Sequence, residues 1–276
     1  MSATITSSTE PLTPLVCIVT GSSHGLGAAI AAELSSRGAS VVLNYPTASL
    51  SSTTATVISK LRHPDRAIAV EADLASEDGP KTLANKSMER FGRVDVLINN
   101  AARISVKGFE ECGLAGEELD FCWGLNVRAP WRLTREVLGL MPERGGEEKR
   151  EGGGWGRIVN ICSAVARTPS PGMAAYVATK GAIDSLTKAW AVELPRKYNI
   201  TVNSISPGIT ETPGMRASMP PEAMAVIEKT AREMTPVAAR VGTPEEVAYA
   251  VGFLCEERSG WMNGQMLMLS GGMYMI

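Results

Sequence analysis

Short runs of β-branched and other apolar residues recur along the chain and alternate with longer amphipathic stretches of helical period. Runs of this length indicate buried strands, and their alternation with helical stretches indicates parallel βαβ units with right-handed crossovers. We therefore predict an α/β fold in one domain: a doubly wound parallel sheet of about seven strands with helices on both faces. The predicted strands are residues 15–20, 40–44, 67–71, 94–98, 156–161, 200–205 and 266–269.

Polar and glycine residues follow these strands at the places where such sheets bind ligands. Ligands bind beyond the carboxyl ends of parallel strands, which lie at one edge of the sheet. We therefore expect the residues at these positions to come together in one site. They are the glycine-rich segment 21–27 after the first strand, Asp73 after the third, Asn99 after the fourth, Ser163 after the fifth and Pro207-Gly208 after the sixth.

The first strand runs directly into Gly21-Ser22-Ser23-His24-Gly25-Leu26-Gly27, and an apolar helical segment follows at once. Glycines let a backbone approach a pyrophosphate closely, and the N–H groups of a helix start bind anions. The turn lacks the lysine and the Ser/Thr of a phosphate-binding NTPase loop, which argues against ATP hydrolysis. Taken alone, these glycines are also compatible with a tight strand-to-helix connection that binds nothing.

Tyr176 and Lys180 lie four positions apart in a helical stretch, so their side chains share one face. A phenol has a pKa of about 10, and a nearby ammonium favours the phenolate. Lowering that pKa by about three units requires about 4 kcal/mol. An exposed ion pair contributes only about 0–1 kcal/mol, so a second positive charge or partial burial must help. The spacing alone also fits a ring at the core edge beside a solvated lysine.

Together, these motifs resemble the short-chain dehydrogenase/reductase family over about residues 15–273. The resemblance implies a Rossmann-type fold and hydride transfer between a nicotinamide dinucleotide and a carbonyl or secondary alcohol. Three departures, Cys162, Ala102 and Ser270, remove no catalytic group. The residues that carry the resemblance are Thr20 to Gly27, Asp73-Leu74, Asn99-Asn100-Ala101-Ala102, Asn126, Ser163, Tyr176, Lys180 and Pro207-Gly208.

The resemblance also implies individual roles. Tyr176 would exchange a proton with the substrate oxygen, Ser163 would hydrogen-bond that oxygen, and Lys180 would lower the tyrosine pKa and hold the nicotinamide ribose. Asn126 would hold a water that links Lys180 to solvent. The expected cofactor contacts are Gly21, Ser23, His24, Gly25, Leu26, Gly27, Asn44, Tyr45, Asp73, Leu74, Asn99, Ala101, Tyr176, Lys180, Pro207, Gly208, Ile209, Thr210 and Thr212. The expected substrate contacts are Ser163, Val165, Met173, Tyr176 and Met215, and no metal ligand is expected.

The residues after the second strand favour NADP(H) over NAD(H). NAD-selective relatives place an acidic side chain there to bind the ribose 2′-hydroxyl, and the segment 44–47, Asn-Tyr-Pro-Thr, contains none. His24 stands where NADP-preferring relatives often carry a basic residue, and a histidine can donate to a phosphate. Tyr45 resembles a tyrosine of fungal naphthol reductases, which use NADPH. The alternative is that His24 only packs over the turn.

Three segments stand apart from the predicted core. Residues 1–14 are expected to form a flexible leader before the domain of residues 15–276. The charged, glycine-rich residues 142–156 are expected to form a solvated insert at the sheet end opposite the site, with a partner-binding element as the alternative. Residues 209–241 are expected to form a substrate lid, in which Met215, Met219, Met224 and Met234 line an apolar pocket or fill the core.

Composition excludes several kinds of partner. The net charge of −2 among 276 residues offers no basic stripe for nucleic acid or an anionic membrane. There is no apolar run of membrane-spanning length, five cysteines without a Cys-x-x-Cys pair argue for reduced thiols, and two histidines cannot build a usual metal cluster. We expect a cytoplasmic protein. Apolar helix faces near residues 115–141 and 173–194 resemble those that pair subunits in the family, which predicts a homo-oligomer, a dimer or tetramer.

The substrate is expected to be a small-molecule carbonyl or alcohol. Apolar Val165, Met173 and Ile209 favour a hydrophobic one, whereas Arg103 and Arg167 would suit an anionic one. A catalytically silent dinucleotide-binding regulator or scaffold is the alternative to an enzyme. Such relatives typically lose the tyrosine, lysine or serine, and this chain keeps all three. Nucleotide-sugar epimerases share the Tyr/Lys pair, but their glycine turn has a different spacing.

Overall fold

Seven strands form a single sheet in the structure, a computed structural model that describes residues 10–112, 116–141, 156–218 and 220–275. The strands are β1 (Val16–Val19), β2 (Ser40–Tyr45), β3 (Ala67–Glu71), β4 (Val96–Asn99), β5 (Gly156–Ile161), β6 (Ile200–Pro207) and β7 (Met266–Leu269). Their order is β3-β2-β1-β4-β5-β6-β7, and every neighbouring pair is parallel. The predicted fold class is confirmed, and each strand lies within two residues of its predicted bounds.

Helices connect the strands. They are α1 (Gly25–Ser36), α2 (Ser51–Ser59), α3 (Gly79–Phe91), α4 (Glu117–Trp123), α5 (Ala129–Leu138), α6 (Ala174–Glu193), α7 (Pro195–Tyr198), α8 (Pro213–Ser218), α9 (Pro221–Met234) and α10 (Pro244–Cys255). α10 begins with a capping box, in which the side chains of Thr243 and Glu246 each bind the backbone of the other residue. The apolar stretch near 115–141 is two helices joined by a π-helical turn at Gly124–Arg128.

Alternate residues of the central strands face opposite sides of the sheet, and both sides are covered. On one side, Val19 of β1 packs in a cluster with Ile30 of α1 and Val251 of α10. On the other side, Ile18 packs in a cluster with Leu133 of α5. Strands buried on both faces read as nearly continuous apolar runs, which is why the sequence revealed them clearly.

The direction of winding changes between β1 and β4. The chain proceeds from β1 to β2 and β3 on one side and from β4 to β7 on the other. The connections that leave the carboxyl ends of β1 and β4 therefore run in opposite directions and open a crevice between them, where doubly wound sheets bind ligands. The glycine turn after β1 and Asn99 at the end of β4 lie at this crevice.

The described part of the predicted leader is packed onto the domain. Leu12 is fully buried in the core cluster of α1, and its N–H donates to the carbonyl oxygen of Arg37 at 2.9 Å. Thr13 Oγ1 donates to the carbonyl oxygen of Gly38 at 3.1 Å. The flexible-leader prediction is therefore wrong for residues 10–14, because Leu12 fills a gap in the core; residues 1–9 lie outside the described part.

Most of the predicted insert, residues 142–155, also lies outside the described part of the chain. Gly156 belongs to β5, and a Cβ there would lie 2.8 Å from Ile200 Cγ2 on β6. In the predicted lid, α8 and α9 follow β6. Met224 is buried, Met215 is half-buried and Met234 is exposed, whereas Met219 is not described. The burial of Met224 agrees with the core-filling alternative for that residue.

Candidate active site

The glycine turn after β1 is packed tightly on its protein side. Gly21 and Gly25 have φ of +60° and +59°, a region that favours glycine. A Cβ on Gly27 would lie 2.3 Å from the carbonyl oxygen of Gly21 and 2.8 Å from Ser22 Cα. A Cβ on Gly25 would meet no atom closer than Thr212 Cβ, at 3.6 Å. The turn is therefore open at Gly25, where α1 begins.

Two asparagines hold this turn to the neighbouring strands. Asn100 Nδ2 donates to the carbonyl oxygens of Thr20 at 2.8 Å and Gly21 at 3.1 Å. Asn44 Oδ1 accepts from the N–H of Gly21 at 3.2 Å, and its Nδ2 donates to the carbonyl oxygen of Ala72 at 2.9 Å. The amide of Asn44 is thus used within the protein, where it supports the turn, and the cofactor contact of Asn44 remains a prediction. Asn100 was missed as a site residue, although it stands in the motif after β4.

His24 stands exposed between the turn and the start of the lid. Its Nδ1 lies 2.9 Å from Ser23 Oγ, and its Nε2 would lie 3.8 Å from a Cβ on Gly214. The described residues place no carboxylate in hydrogen-bond contact with the imidazole, so its outer nitrogen can reach a ligand.

At the end of β3, the predicted contacts differ in exposure. Asp73 is exposed, and its Oδ1 accepts from the N–H of Ala75 at 3.0 Å. Leu74 is buried in the core, so its side chain cannot contact a cofactor and only its backbone remains a candidate. Tyr45, at the end of β2, is largely buried.

At the end of β4, the side chain of Asn99 faces the protein interior. Its Nδ2 donates to Asn160 Oδ1 at 2.8 Å, so the amide links β4 to β5, and the cofactor contact of Asn99 remains a prediction. The backbone of Ala101 is also fixed, since its N–H donates to Thr20 Oγ1 at 2.9 Å. These hydrogen bonds fix the loop after β4 against the glycine turn.

The segment after β6 is anchored to β7 before it leads into the lid. The N–H of Gly208, which follows Pro207, donates to the carbonyl oxygen of Leu269 at 2.8 Å. Thr210 Oγ1 donates to the carbonyl oxygen of Gly208 at 3.3 Å. Thr212 Oγ1 accepts from the N–H of Met215 at 3.1 Å, at the beginning of α8. Thr212 also stands over Gly25, which brings this segment to the open side of the turn.

The structure brings Tyr176, Lys180 and Ser163 together. Tyr176 and Lys180 lie one turn apart on α6 and are only 8% and 3% exposed. Ser163 follows β5, begins the single turn Ala164–Ala166 and hydrogen-bonds the Tyr176 side chain. Lys180 Nζ lies 5.6 Å from the centroid of the Tyr176 ring and donates to the carbonyl oxygen of Ile161 at 2.7 Å.

Burial determines the protonation state of this group. Burial raises the pKa of Tyr176 above its ordinary value, and the hydrogen bond with Ser163 opposes that effect only in part. Burial lowers the pKa of Lys180 to about 8. The protein's own groups therefore do not lower the pKa of Tyr176, although the sequence predicts that Lys180 would favour a lower value. One ammonium is not enough to offset burial. Tyr176 is a protonated phenol at neutral pH, the form that donates a proton.

Asn126 lies in the π-helical turn, a feature frequent at functional sites. Its Oδ1 accepts from the N–H of Arg103 at 2.8 Å, and its Nδ2 donates to the carbonyl oxygen of Arg103 at 2.9 Å and to Thr179 Oγ1 at 3.0 Å. The side chain thus connects the loop after β4 to the helix of Tyr176. Both hydrogens of the amide are thereby used, whereas Oδ1 keeps a second lone pair, and the predicted water at Asn126 remains a prediction.

The predicted substrate contacts differ in placement. Val165 is half-buried beside Ser163, since its N–H lies 3.4 Å from Ser163 Oγ. Met173 is half-buried at the start of α6, and Met215 is half-buried on α8. Next to Arg103, the loop after β4 exposes Ile104 and other large apolar side chains. These residues were not among the predicted substrate contacts.

Both arginines considered for an anionic substrate already have acidic partners. Arg103 Nε lies 3.7 Å from Glu118 Oε1, and its guanidinium lies 4.5 Å from the centre of the Phe121 ring. Arg167 donates to Asp184. A lysine also lies beside each of these carboxylates, Lys107 Nζ at 3.2 Å from Glu118 Oε2 and Lys188 Nζ at 3.0 Å from Asp184 Oδ2, so each carboxylate is shared between two cations.

Comparison with known proteins agrees with this geometry. A family model described as "Enoyl-(Acyl carrier protein) reductase" matches residues 21–274. The chain is 37% identical over 261 residues to "Short-chain dehydrogenase/reductase FrzI" of Cladobotryum sp. The aligned region covers 93% of this chain and 94% of the relative. The chain belongs to the short-chain dehydrogenase/reductase family.

Further members of this family are similar over nearly the whole chain. "Hydroxynaphthalene reductase-like protein Arp2" of Metarhizium robertsii is 32% identical and covers 95% of each chain. The crystal structure of a "Short-chain dehydrogenase/reductase SDR:Glucose/ribitol dehydrogenase" from Brucella melitensis superposes with a TM-score of 0.82 at 30% identity, covering 95% of this chain and 97% of the other. The angucycline C-6 ketoreductase LanV with bound NADP gives 0.82 at 28% identity, covering 95% and 96%.

Short-chain dehydrogenases/reductases bind a nicotinamide dinucleotide, and the glycine turn fits the pyrophosphate of such a cofactor. The side chain of His24 does not cap α1, and the first turn of α1 contains no acidic residue. The first N–H groups of α1 therefore remain able to bind an anion. The open space at Gly25 admits a ligand, whereas Gly27 permits the tight packing beneath it.

Across residues 10–112, 116–141, 156–218 and 220–275, no helix is long and apolar enough to cross a membrane. In the same ranges, no group of three His, Cys, Asp or Glu side chains is arranged to hold a metal ion.

Proposed function

We propose that this short-chain dehydrogenase/reductase reduces a hydrophobic ketone with NADPH, and that Tyr176 is the proton donor. The observation that carries the proposal is the buried, protonated phenol of Tyr176, hydrogen-bonded to Ser163 one helical turn from Lys180. This group stands at the carboxyl end of β5, at the edge of the sheet where the glycine turn also lies.

The chain's own groups have complementary tasks in the proposed reduction. A dinucleotide held at the glycine turn would supply the hydride to the carbonyl carbon. Tyr176 Oη then gives its proton to the carbonyl oxygen, which completes the alcohol and leaves a phenolate. Ser163 donates a hydrogen bond to the same oxygen and positions it. Lys180 stabilises the phenolate by its positive charge, which its pKa of about 8 preserves at neutral pH.

The apolar side chains near the site support a neutral, hydrophobic substrate over an anionic one. The two candidate arginines are each paired with a carboxylate, Arg103 with Glu118 and Arg167 with Asp184. An anionic substrate would have to compete with these partners. Val165, Met173 and the exposed apolar residues after β4 offer a surface for an extended or polycyclic carbonyl compound.

We predict that the protein consumes NADPH when it is given hydrophobic carbonyls. The assay follows NADPH absorbance with tetralone, menadione and phenanthrenequinone, and with pyruvate and 2-oxoglutarate as anionic carbonyls of small size. Turnover is expected with at least one of the first three and at least tenfold lower kcat/KM with the last two. NADPH binding by fluorescence without turnover on any carbonyl would instead favour the silent regulator or scaffold.

NADPH is the proposed form of the cofactor. The segment after β2, Asn44-Tyr45-Pro46-Thr47, contains no carboxylate that would repel a 2′-phosphate, and His24 is exposed beside the turn. The LanV ketoreductase, with bound NADP, has the same fold.

We predict that His24→Ala weakens NADPH binding about tenfold and leaves NADH binding unchanged, since a hydrogen bond to a charged group contributes about 1.5–3 kcal/mol. His63→Ala is the matched control, because the other histidine of the chain binds Glu10 away from the turn. Fluorescence titration of both nucleotides measures the effect. Equal affinity of the unmodified protein for NADPH and NADH would refute the proposed preference.

We further propose a homo-oligomer, a dimer or tetramer. Trp131 on α5 and Val192 on α6 are 45% and 82% exposed, and α5 and α6 belong to the two stretches in which the sequence predicts subunit contacts. A cytoplasmic location remains a prediction from the sequence.

A further inference from the structure

Ser163 belongs to a short segment with its own hydrogen bonds. In the proposed reaction this segment must be aligned with α6, which carries Tyr176. The carbonyl oxygen of Ser163 accepts from the N–H of Ala166 at 3.1 Å, and Thr168 Oγ1 donates to the carbonyl oxygen of Ala164 at 2.8 Å. Residues 163–168 thus form one compact turn after β5. Its partner in the proposed reaction, Tyr176, belongs to a different element, α6.

Two contacts fasten this turn to α6, one on each side of Ser163. Before it, Cys162 Sγ lies 3.2 Å from the carbonyl oxygen of Lys180, a weak hydrogen bond. After it, the guanidinium of Arg167 donates to Asp184 Oδ2. The second contact is the stronger type, because both groups are charged. Ser163 is therefore fixed between two attachments to the helix that carries Tyr176.

Asp184 acts at a distance from the reacting atoms. Tyr176, Lys180 and Asp184 follow one another at four-residue intervals on one face of α6. Eight residues of helix span about 12 Å, so the carboxylate of Asp184 does not reach the substrate oxygen near Tyr176. Its side chain is only 7% exposed, which also keeps it from the surface of the cleft.

Asp184 also binds a second cation, Lys188, which allows neutralisation of the carboxylate to be tested separately from the link that Arg167 makes. Lys188 Nζ lies 3.0 Å from the same Oδ2, but Lys188 belongs to α6 itself. Lys188 therefore helps to neutralise the carboxylate without linking α6 to the Ser163 turn. Among the residues that the structure describes, Arg167 is the one that links the Ser163 turn to Asp184.

We propose that Arg167 and Asp184 are positioning residues, whose ion pair holds the Ser163 hydroxyl in hydrogen-bond contact with Tyr176. The inference rests on the proposed function, in which Ser163 and Tyr176 bind the same substrate oxygen. A small displacement of a positioned group lowers the rate strongly, by about a hundredfold for about 1 Å. The pair therefore controls the chemical step and not the affinity for either reactant.

The first test is Arg167→Met, assayed with NADPH and the best hydrophobic carbonyl of the panel above. We expect kcat to fall about tenfold to a hundredfold, with the KM of the carbonyl and the affinity for NADPH within twofold of the unmodified protein. Lys188→Met is the matched control and is expected to keep kcat within twofold. A raised KM with unchanged kcat would mean that Arg167 binds the substrate, and it would overturn the proposal.

The second test separates positioning from general support of the fold. Because the pair acts through Ser163, Arg167→Met is expected to lower kcat less than twofold further in a Ser163→Ala background. Independent, multiplicative losses would overturn the proposal. Arg167→Lys keeps the charge but not the planar reach of the guanidinium, so an intermediate kcat is expected. Failure of both Arg167 variants to fold would assign the pair to stability and equally overturn the proposal.

These results are distinguishable from a failure of the proposed function itself. If Tyr176→Phe retains full turnover, the proposed reaction is wrong whatever Arg167→Met does. If Tyr176→Phe loses turnover and Arg167→Met does not, only the positioning role is wrong.

Discussion

Tyr176→Phe is expected to lower NADPH-dependent turnover at least a thousandfold and to leave NADPH affinity within twofold. Proton transfer by a positioned side chain contributes about a hundredfold to ten-thousandfold to the rate, and the change also removes the hydrogen bond with Ser163. The phenyl ring keeps the volume of a side chain that is only 8% exposed, so the fold is preserved. Steady-state kinetics and fluorescence titration measure the two effects separately.

Tyr198→Phe is the matched control for this change. It removes the same hydroxyl from a half-buried tyrosine on α7, next to Lys197 and away from the glycine turn. Unchanged turnover is expected for it. Turnover by Tyr176→Phe at a rate close to that of the unmodified protein would exclude Tyr176 as the proton donor and with it the proposed mechanism.

The strands could be predicted because their sequences are determined by burial on both faces. Runs such as residues 15–20 and 200–205 are apolar or β-branched over most of their length, and β1 and β6 coincide with them to within two residues. The leader boundary failed for the opposite reason. Leu12 is a single apolar residue in a polar segment, and only the tertiary structure shows the gap that it fills.

Residues of the candidate site could be predicted where helix periodicity or a strand end places them. The hydrogen-bond partner of a side chain could not be predicted where it lies elsewhere in the chain. Tyr176 and Lys180 share a helix face by simple periodicity. Asn44 and Asn99 stand at the predicted strand ends, but their amides bind the protein, because a buried amide must satisfy its hydrogen-bonding groups. The pairing of Arg167 with Asp184 joins residues 17 apart on different elements, which periodicity does not reveal.

The electrostatics also required the structure. The sequence places an ammonium one turn from the Tyr176 phenol, which favours a lower tyrosine pKa. In the fold, Lys180 donates instead to the carbonyl oxygen of Ile161, and burial raises the pKa of Tyr176. The protein's own groups therefore set the tyrosine as an acid, which agrees with a reductase. A second positive charge beside the phenol, in addition to that of Lys180, would be needed before it could act as a base.

Gly27→Ala is expected to lower NADPH affinity about a hundredfold. The added Cβ would lie 2.3 Å from the carbonyl oxygen of Gly21, 2.7 Å from Asn100 Nδ2 and 2.8 Å from Ser22 Cα. Two of these atoms belong to the backbone, so the turn itself must move, and overpacking of this kind costs about 1–3 kcal/mol. A displaced turn no longer directs the first N–H groups of α1 at the pyrophosphate.

Gly139→Ala is the control for adding a methyl group to a glycine. Gly139 follows α5 with a negative φ, and a Cβ there would meet no atom within 4 Å. The Gly139→Ala variant is therefore expected to bind NADPH with unchanged affinity. Fluorescence titration gives the affinities, and thermal unfolding shows how much of the folded state each variant retains. Because the strain of Gly27→Ala falls on the turn and α1, a variant that stays folded should still bind NADPH poorly. Affinity within twofold of the unmodified protein would mean that the turn does not hold the pyrophosphate.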